Sequence, residues 1–157
     1  MRDGSQLALS NYPSDVGLDV APTAIAACRM RFSEDNSKKF LVHGGEVRQD
    51  LLTLQAELAL SMDVLIHLVE DQVFESYMND LFQLATRFVI IYANDGPRDS
   101  TIASVTDRPF TGWVAEHCPR WNLQEHVRNE YPWNGDVKSS TLSEFYVYQF
   151  DPASQAP

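Results

Sequence analysis

Basic residues are scarce in this sequence of 157 residues: 12 lysines and arginines stand against 22 aspartates and glutamates. The net charge of −10 repels phosphate backbones and anionic lipid headgroups, and no cluster of basic residues offsets it. Long apolar runs are also missing, since residues 88–93 fall far short of the roughly 20 that span a bilayer. The first residues, Met1 to Gly4, do not resemble a signal peptide. We expect a soluble, cytoplasmic protein without nucleic-acid or membrane partners.

Cysteine is scarce, and histidine is not clustered. Cys28 and Cys118 stand far apart, outside any CxxC pattern. The four histidines are scattered: His43, His67, His117 and His126. Zinc sites need several such ligands at short, regular spacing. We therefore expect no metal site, and we expect both cysteines to be small buried hydrophobes.

Strand and helix patterns alternate in the first half of the chain. Residues 16–20 form a short apolar run typical of a buried parallel strand, which ends at Asp19 or Val20. Pro22 then opens a helix with apolar residues at helical spacing. Residues 40–42 are predicted to form an edge-like second strand, and residues 58–62 a buried strand that leads into Asp63.

The second half continues the alternation. A helix is predicted from Asp71, because apolar residues recur there at three- and four-residue steps. Those residues are Val73, Phe74, Tyr77, Met78, Leu81, Phe82 and Ala85. A central strand at 88–92 ends in an Asn-Asp-Gly-Pro turn, and a loop at 98–109 leads to a short helix at 111–117. Strands are predicted at 121–127 and 145–150, with a long loop between them.

These alternating elements favour an α/β sandwich with a largely parallel sheet, whose ligands bind at the carboxyl ends of the strands. The length and apolar content suit one domain, over residues 1–150. Residues 151–157 lack large apolar side chains and are expected to form a flexible tail.

Five stretches resemble class I S-adenosylmethionine (SAM)-dependent methyltransferases. Residues 16–25, VGLDVAPTAI, are similar to the second strand and following helix of that family. Residues 60–71, LSMDVLIHLVED, are similar to its fourth strand and the segment beyond. Residues 108–114, RPFTGWV, with WNL at 121–123 and NEYP at 129–132, resemble the carboxyl-terminal half of bacterial methyltransferases of uncharacterised substrate. The resemblance covers most of residues 3–150.

The resemblance implies a three-layer methyltransferase-like Rossmann sandwich. Its sheet would be mostly parallel with an antiparallel carboxyl-terminal strand, and its cofactor would be SAM. The implied reaction is direct transfer of a methyl group to an oxygen or nitrogen of a small molecule. Such a reaction needs alignment more than covalent help from the protein, so the lack of a catalytic signature does not exclude activity.

The beginning of the chain departs from the family. Residues 3–7, DGSQL, match only the end of the glycine-rich cofactor loop, and the first strand that precedes it is missing. In the family, that strand lies between those ending at Asp19 and Asp63. Its loss would leave two unpaired edges. Either the two edges pair directly, or another chain donates a strand, or the sequence is a fragment. We expect direct pairing or a donated strand. If the two edges do not pair directly, we expect a homo-oligomer or a strand-donating partner.

The resemblance implies five cofactor-binding residues, and all but Val20 have a simpler alternative. Asp19 would bind the ribose hydroxyls, since a carboxylate accepts two hydrogen bonds from a vicinal diol, or it caps the next helix. Val20 would lie beside it. Asp3 and Gly4 would be the remnant of the glycine loop, or an ordinary flexible terminus. Asp63 would contact cofactor or substrate, or it is a plain loop acid.

His67 is the candidate catalytic base, because it is the one histidine inside a matched segment and a neutral imidazole can accept the acceptor's proton. The alternative is a histidine packed against the next helix. Four aromatic residues either line a pocket or complete the core: Tyr131, Trp133, Tyr146 and Tyr148. The leading hypothesis is thus a methyltransferase or a remnant of one. The rival is a non-catalytic interaction subunit that kept the scaffold.

Overall fold

A computed structural model describes residues 12–43, 54–96 and 106–153. The chain forms two compact units, Met1–Glu46 and Val47–Pro157. No helix within the described ranges is long and apolar enough to cross a membrane. The predicted cofactor-loop remnant, most of the 98–109 loop and the last four residues lie outside these ranges.

The first unit contains two parallel strands and one helix. Strand β1 (Asp15–Asp19) pairs with β2 (Lys38–Val42), and helix α1 (Pro22–Arg31) connects them. All three elements were predicted; β1 ends at Asp19, one of its two predicted ends, and α1 starts at Pro22. Arg29 of α1 holds the helix on β2 by donating from Nε and Nη2 to the carbonyl of Phe40, at 2.9 and 2.6 Å.

The second unit contains a mixed sheet of four described strands in the order β3-β4-β6-β5. The strands are β3 (Ala56–Met62), β4 (Ala85–Ala93), β5 (Trp121–Val127) and β6 (Glu144–Phe150). The β3 and β4 strands are parallel, whereas β6 runs antiparallel to both of its neighbours. The predicted central strand and antiparallel carboxyl-terminal strand are therefore confirmed.

Two helices cover one face of this sheet. Helix α2 (Asp71–Leu84) and helix α3 (Phe110–His117) supply Met78 and Phe110, both fully buried. Alternate residues of β4 meet them, because the side chains of a strand point in turn to opposite faces. Val89 and Ile91 are both 0% exposed. The core of the second unit thus lies between the sheet and α2 and α3.

Several expectations about burial were wrong. Strand β3 is not buried on both faces: Ser61 is 1% exposed, but Leu60 and Met62 are 45% and 50% exposed. Cys28 and Cys118 are only half-buried.

One element boundary also differs from the prediction. Ala85, expected to extend the helical pattern, is the first residue of β4, because the backbone becomes extended there without a connecting loop.

The sheet pairings also differ in part from expectation. The described strands form two separate sheets, of two and four strands, so the expected direct pairing of the two open edges is not found among them. The β1–β2 and β3–β4 pairings are parallel, whereas the carboxyl-terminal strand β6 pairs antiparallel with β4 and β5, as the resemblance implies for that strand.

Candidate functional site

The carboxyl end of β3 has an unusual backbone. Asp63 follows the strand with φ 53°, in the left-handed region that few residues other than glycine adopt. Its amide nitrogen still donates to the carbonyl of Tyr92 on β4, at 2.9 Å. The chain therefore turns sharply while remaining paired, and it leaves the exposed carboxylate of Asp63 at the edge where parallel strands end.

Asp63 is held in place by the residue that precedes β6. The Oγ of Ser143, which is 7% exposed, donates to Oδ1 of Asp63 at 2.8 Å. No described residue donates to Oδ2. One carboxylate oxygen thus fixes the side chain, while the other can accept a hydrogen bond from a ligand.

His67 lies four residues beyond Asp63, at the end of a short 3-10 turn (Leu65–His67). Its side chain is exposed, which does not fit a histidine packed against the next helix. Its amide donates to the carbonyl of Val64 at 3.0 Å. The turn keeps His67 on the same short segment as Asp63.

The segment around His67 is clamped from residues 106–108. Thr106, 2% exposed, donates its amide to the carbonyl of Ile66 at 2.9 Å. Arg108, 6% exposed, donates from Nε and Nη2 to the carbonyl of Leu68 at 3.1 and 2.6 Å, and from Nη2 to that of Val69 at 2.6 Å. His67 is therefore flanked on both sides by immobilised backbone.

In the first unit, Asp19 is the last residue of β1, and one of its two carboxylate oxygens is hydrogen-bonded within the chain. Oδ1 accepts a hydrogen bond from the amide of Ala21 at 2.8 Å, which fixes the turn into α1. No described residue donates to Oδ2. The adjacent Val20 is 71% exposed, so an apolar side chain stands free beside the carboxylate. Asp19 therefore acts in the turn before the helix but does not cap it, since the N-cap is Ala21 and no side chain caps α1, and Asp19 still has an acceptor oxygen to offer.

The predicted residues thus fall into three groups. Asp63 and His67 share one segment of the second unit, whereas Asp19 and Val20 share the end of β1 in the first. Asp3 and Gly4 lie outside the described residues. Over the described ranges, no three His, Cys, Asp or Glu side chains come together as metal ligands.

Sequence reasoning missed a histidine–carboxylate pair between β5 and β6. Nε2 of His126 lies 2.5 Å from Oε2 of Glu144, and the imidazole stacks on Tyr146 with ring centroids 4.4 Å apart. His126 and Glu144 are 18 residues apart in sequence. Only the antiparallel register brings them together, so no local motif signals the pair.

Of the four aromatic residues predicted either to line a pocket or to complete the core, two are buried and two are exposed. Tyr146 and Tyr148 are 7% and 3% exposed and belong to the core. Burial raises the pKa of Tyr146 to about 12, with a further contribution from Asp95 and Glu144. Tyr131 and Trp133 are 65% and 46% exposed, so they are available to a ligand.

No family model matches this chain. No curated protein matches it either. The chain does match solved structures of methyltransferases.

The methyltransferase domain of a bacterial Hen1 protein, CtHen1-C, is 13% identical with a TM-score of 0.67, and the match covers 94% of this chain and 85% of that one. A SAM-dependent methyltransferase from Methanosarcina mazei is 10% identical with a TM-score of 0.66, covering 96% and 87%. Magnesium protoporphyrin IX methyltransferase from Synechocystis, with S-adenosylhomocysteine (SAH) bound, is 15% identical with a TM-score of 0.62, covering 93% and 68%. At these identities the likeness establishes the fold, which is that of class I SAM-dependent methyltransferases.

Proposed function

We propose that this chain is a SAM-dependent methyltransferase that acts on an oxygen or nitrogen of a small molecule. The single observation that supports this most is the end of β1. The fold is shared with SAM-dependent enzymes. At the end of β1, Oδ2 of Asp19 accepts no hydrogen bond from the described residues and can therefore bind a ligand.

The residues at β1 fit the adenosine part of SAM. A ribose presents two neighbouring hydroxyl groups, and a carboxylate oxygen accepts hydrogen bonds from such groups. The exposed side chain of Val20 offers apolar surface to a purine ring. Asp19 would therefore bind the ribose and Val20 the adenine.

SAM would supply an electrophilic methyl group. In the second unit, Asp63 and His67 act on the acceptor in this proposal. Asp63 orients it through Oδ2, because Ser143 fixes the other oxygen. His67 takes up the proton that the acceptor oxygen or nitrogen releases, a role that its exposed imidazole permits. The hydrogen bonds from Thr106 and Arg108 keep the histidine's segment in place.

Calorimetry with SAH tests the cofactor assignment. Asp19→Asn is the informative variant, because an amide oxygen can still accept from Ala21 while the carboxylate is lost. We expect SAH to bind about tenfold or more weakly, because the variant loses a charge-assisted hydrogen bond to the ribose.

Asp151→Asn is the matched control, since Oδ1 of Asp151 accepts from the amide of Ala153 at 2.9 Å in the same two-residue turn. It should bind SAH like the parent protein. A folded parent protein that takes up no SAH contradicts the proposal, as does equal binding by the Asp19 variant.

A second candidate is a non-catalytic subunit that captures a partner strand. Within the described part of the second unit, β3 pairs with β4 alone, so its other edge has no strand partner there. Open edges of this kind favour pairing with another chain. Sedimentation velocity would show a stable dimer or a partner complex in that case, whereas a monomer that binds SAH favours the enzyme.

A further inference from the structure

The loop between β5 and β6, residues 128–143, exposes two large aromatic side chains from an ordered backbone. The amide of Tyr131 donates to Oδ1 of Asn129 at 2.9 Å, and the amide of Thr141 donates to the carbonyl of Tyr131 at 3.0 Å. Pro132 forms a β-bridge with Thr141. Tyr131 and Trp133 are thus presented by a fixed backbone, so a ligand that binds them need not order the loop.

This loop is fastened to the strand ends that carry the candidate acceptor site. Nδ2 of Asn129 donates to the Tyr92 hydroxyl at 2.8 Å, at the end of β4. Ser143, at the other end of the loop, donates to Asp63 at 2.8 Å, at the end of β3. Two side-chain hydrogen bonds therefore tie the aromatic loop to the rim of the sheet where Asp63 stands.

The charges near the loop favour a cation. The loop itself is balanced, with Arg128 and Lys138 against Glu130 and Asp136. The strand ends beneath it add three carboxylates, those of Asp63, Asp95 and Glu144. Asp95 is engaged by Thr111, and Glu144 by His126. Asp63 keeps an oxygen to which no described residue donates.

We propose that Tyr131 and Trp133, together with Asp63, bind a small arylalkylamine, an amine joined to an aromatic ring by a short alkyl chain, in its protonated form. The two aromatic side chains contact its ring, and Oδ2 of Asp63 accepts a hydrogen bond from its ammonium group. Aromatic faces and a carboxylate both attract cations. The inference builds on the proposed function in one respect, since it makes this amine the methyl acceptor: His67 would first take a proton from the ammonium group, because only the neutral nitrogen has the electron pair that forms the new bond to the methyl group.

Three probes of nearly equal shape test the proposal by calorimetry at neutral pH: 2-phenylethylamine, 2-phenylethanol and phenylacetate. They share a ring and differ in charge. We expect the amine to bind at least about tenfold more tightly than the alcohol, as cation recognition predicts. Phenylacetate should not bind at millimolar concentrations. Equal binding of all three probes, or binding of none, overturns the proposal.

Variants assign the binding to the residues named. Trp133→Ala and Tyr131→Ala should each weaken amine binding by about tenfold, whereas Trp133→Phe keeps a ring and should lose about threefold at most. Val137→Ala, on the same loop with a side chain 79% exposed, is the matched control and should change nothing. Asp63→Asn should remove the preference for amine over alcohol. Urea unfolding of every variant verifies that the fold is kept.

The outcome separates this inference from the proposed function. SAH uptake that depends on Asp19, without amine binding, overturns the amine site alone. Amine binding without SAH uptake overturns the methyltransferase, and with it the amine's role as methyl acceptor, but keeps the amine site. If Trp133→Ala instead abolishes self-association in sedimentation, with no amine bound, the loop is a protein interface and the amine site is wrong.

Discussion

Arg108 should be among the most costly side chains to remove, although it carries a charge. Its guanidinium is 6% exposed and donates to the carbonyls of Leu68 and Val69. It also lies over the ring of Phe74, 4.8 Å from its centroid, and contacts Asp71 at 2.5 Å. Arg108→Ala removes all of these contacts at once, at the segment that carries His67.

The magnitude follows from the exposure of each partner. Each carbonyl that loses its donor costs about 1 kcal/mol, the lower end of the range because Leu68 and Val69 are only half-buried. Loss of the contact with Phe74 costs roughly another 1 kcal/mol. The side chain of Asp71 is 61% exposed, so its ion pair contributes less than about 1 kcal/mol. We expect Arg108→Ala to lower the free energy of unfolding by about 3 kcal/mol.

Urea unfolding followed by circular dichroism measures this loss. Arg108→Lys should recover part of it, because the charge remains but the planar fork is lost. Asp71→Asn should cost less than about 1 kcal/mol, which separates the ion pair from the carbonyl contacts. Arg87→Ala removes an exposed arginine that lies over Phe88 and serves as the control. If Arg108→Ala lowered the free energy of unfolding by less than about 1 kcal/mol, the stabilising role assigned to the Arg108 contacts would be wrong.

Three further predictions concern the core of the second unit. Met78→Ala should cost about 2 to 5 kcal/mol in urea, against less than about 0.5 for Val73→Ala, since these side chains of α2 are 0% and 44% exposed. The Tyr77 hydroxyl donates to Oγ of Ser61 at 2.9 Å, so Tyr77→Phe should lower the free energy of unfolding by about 1 kcal/mol. The double variant with Ser61→Ala should lose less than the sum of the two single losses, because both variants remove the same hydrogen bond. Burial raises the pKa of Tyr146 to about 12 from 10.0. The folded state therefore keeps a proton that the unfolded chain loses, and stability should fall between about pH 10 and 12, less steeply in Tyr146→Phe if this tyrosine is responsible.

Local pattern was enough to predict most of the elements. The helix at Asp71–Leu84 carries apolar residues on one face, and β4 ends at a turn sequence, so both are encoded by neighbours in the chain. The same reasoning misplaced Ala85, because alanine favours a helix and continues the helical spacing, whereas the chain passes from helix to strand at this residue.

Burial and site contacts were harder to predict, because they depend on residues distant in sequence. An apolar run such as β3 does not reveal whether one or both of its faces are covered. Ser143 and Asp63 are 80 residues apart, and Arg108 reaches back 40 residues to Leu68. The sequence could nominate Asp63 and His67 through the resemblance, but not the groups that hold them.

An amide-resolved NMR titration with SAH tests the central claim most directly. The amide of Ala21 donates to the Asp19 carboxylate, and the amide of His43 donates to the Asp19 carbonyl at 2.9 Å. Both amides report on the group proposed to bind the ribose. The account predicts saturable shifts at Val20, Ala21 and His43 that Asp19→Asn reduces. A spectrum unchanged by saturating SAH, or shifts that leave these residues untouched, would contradict it.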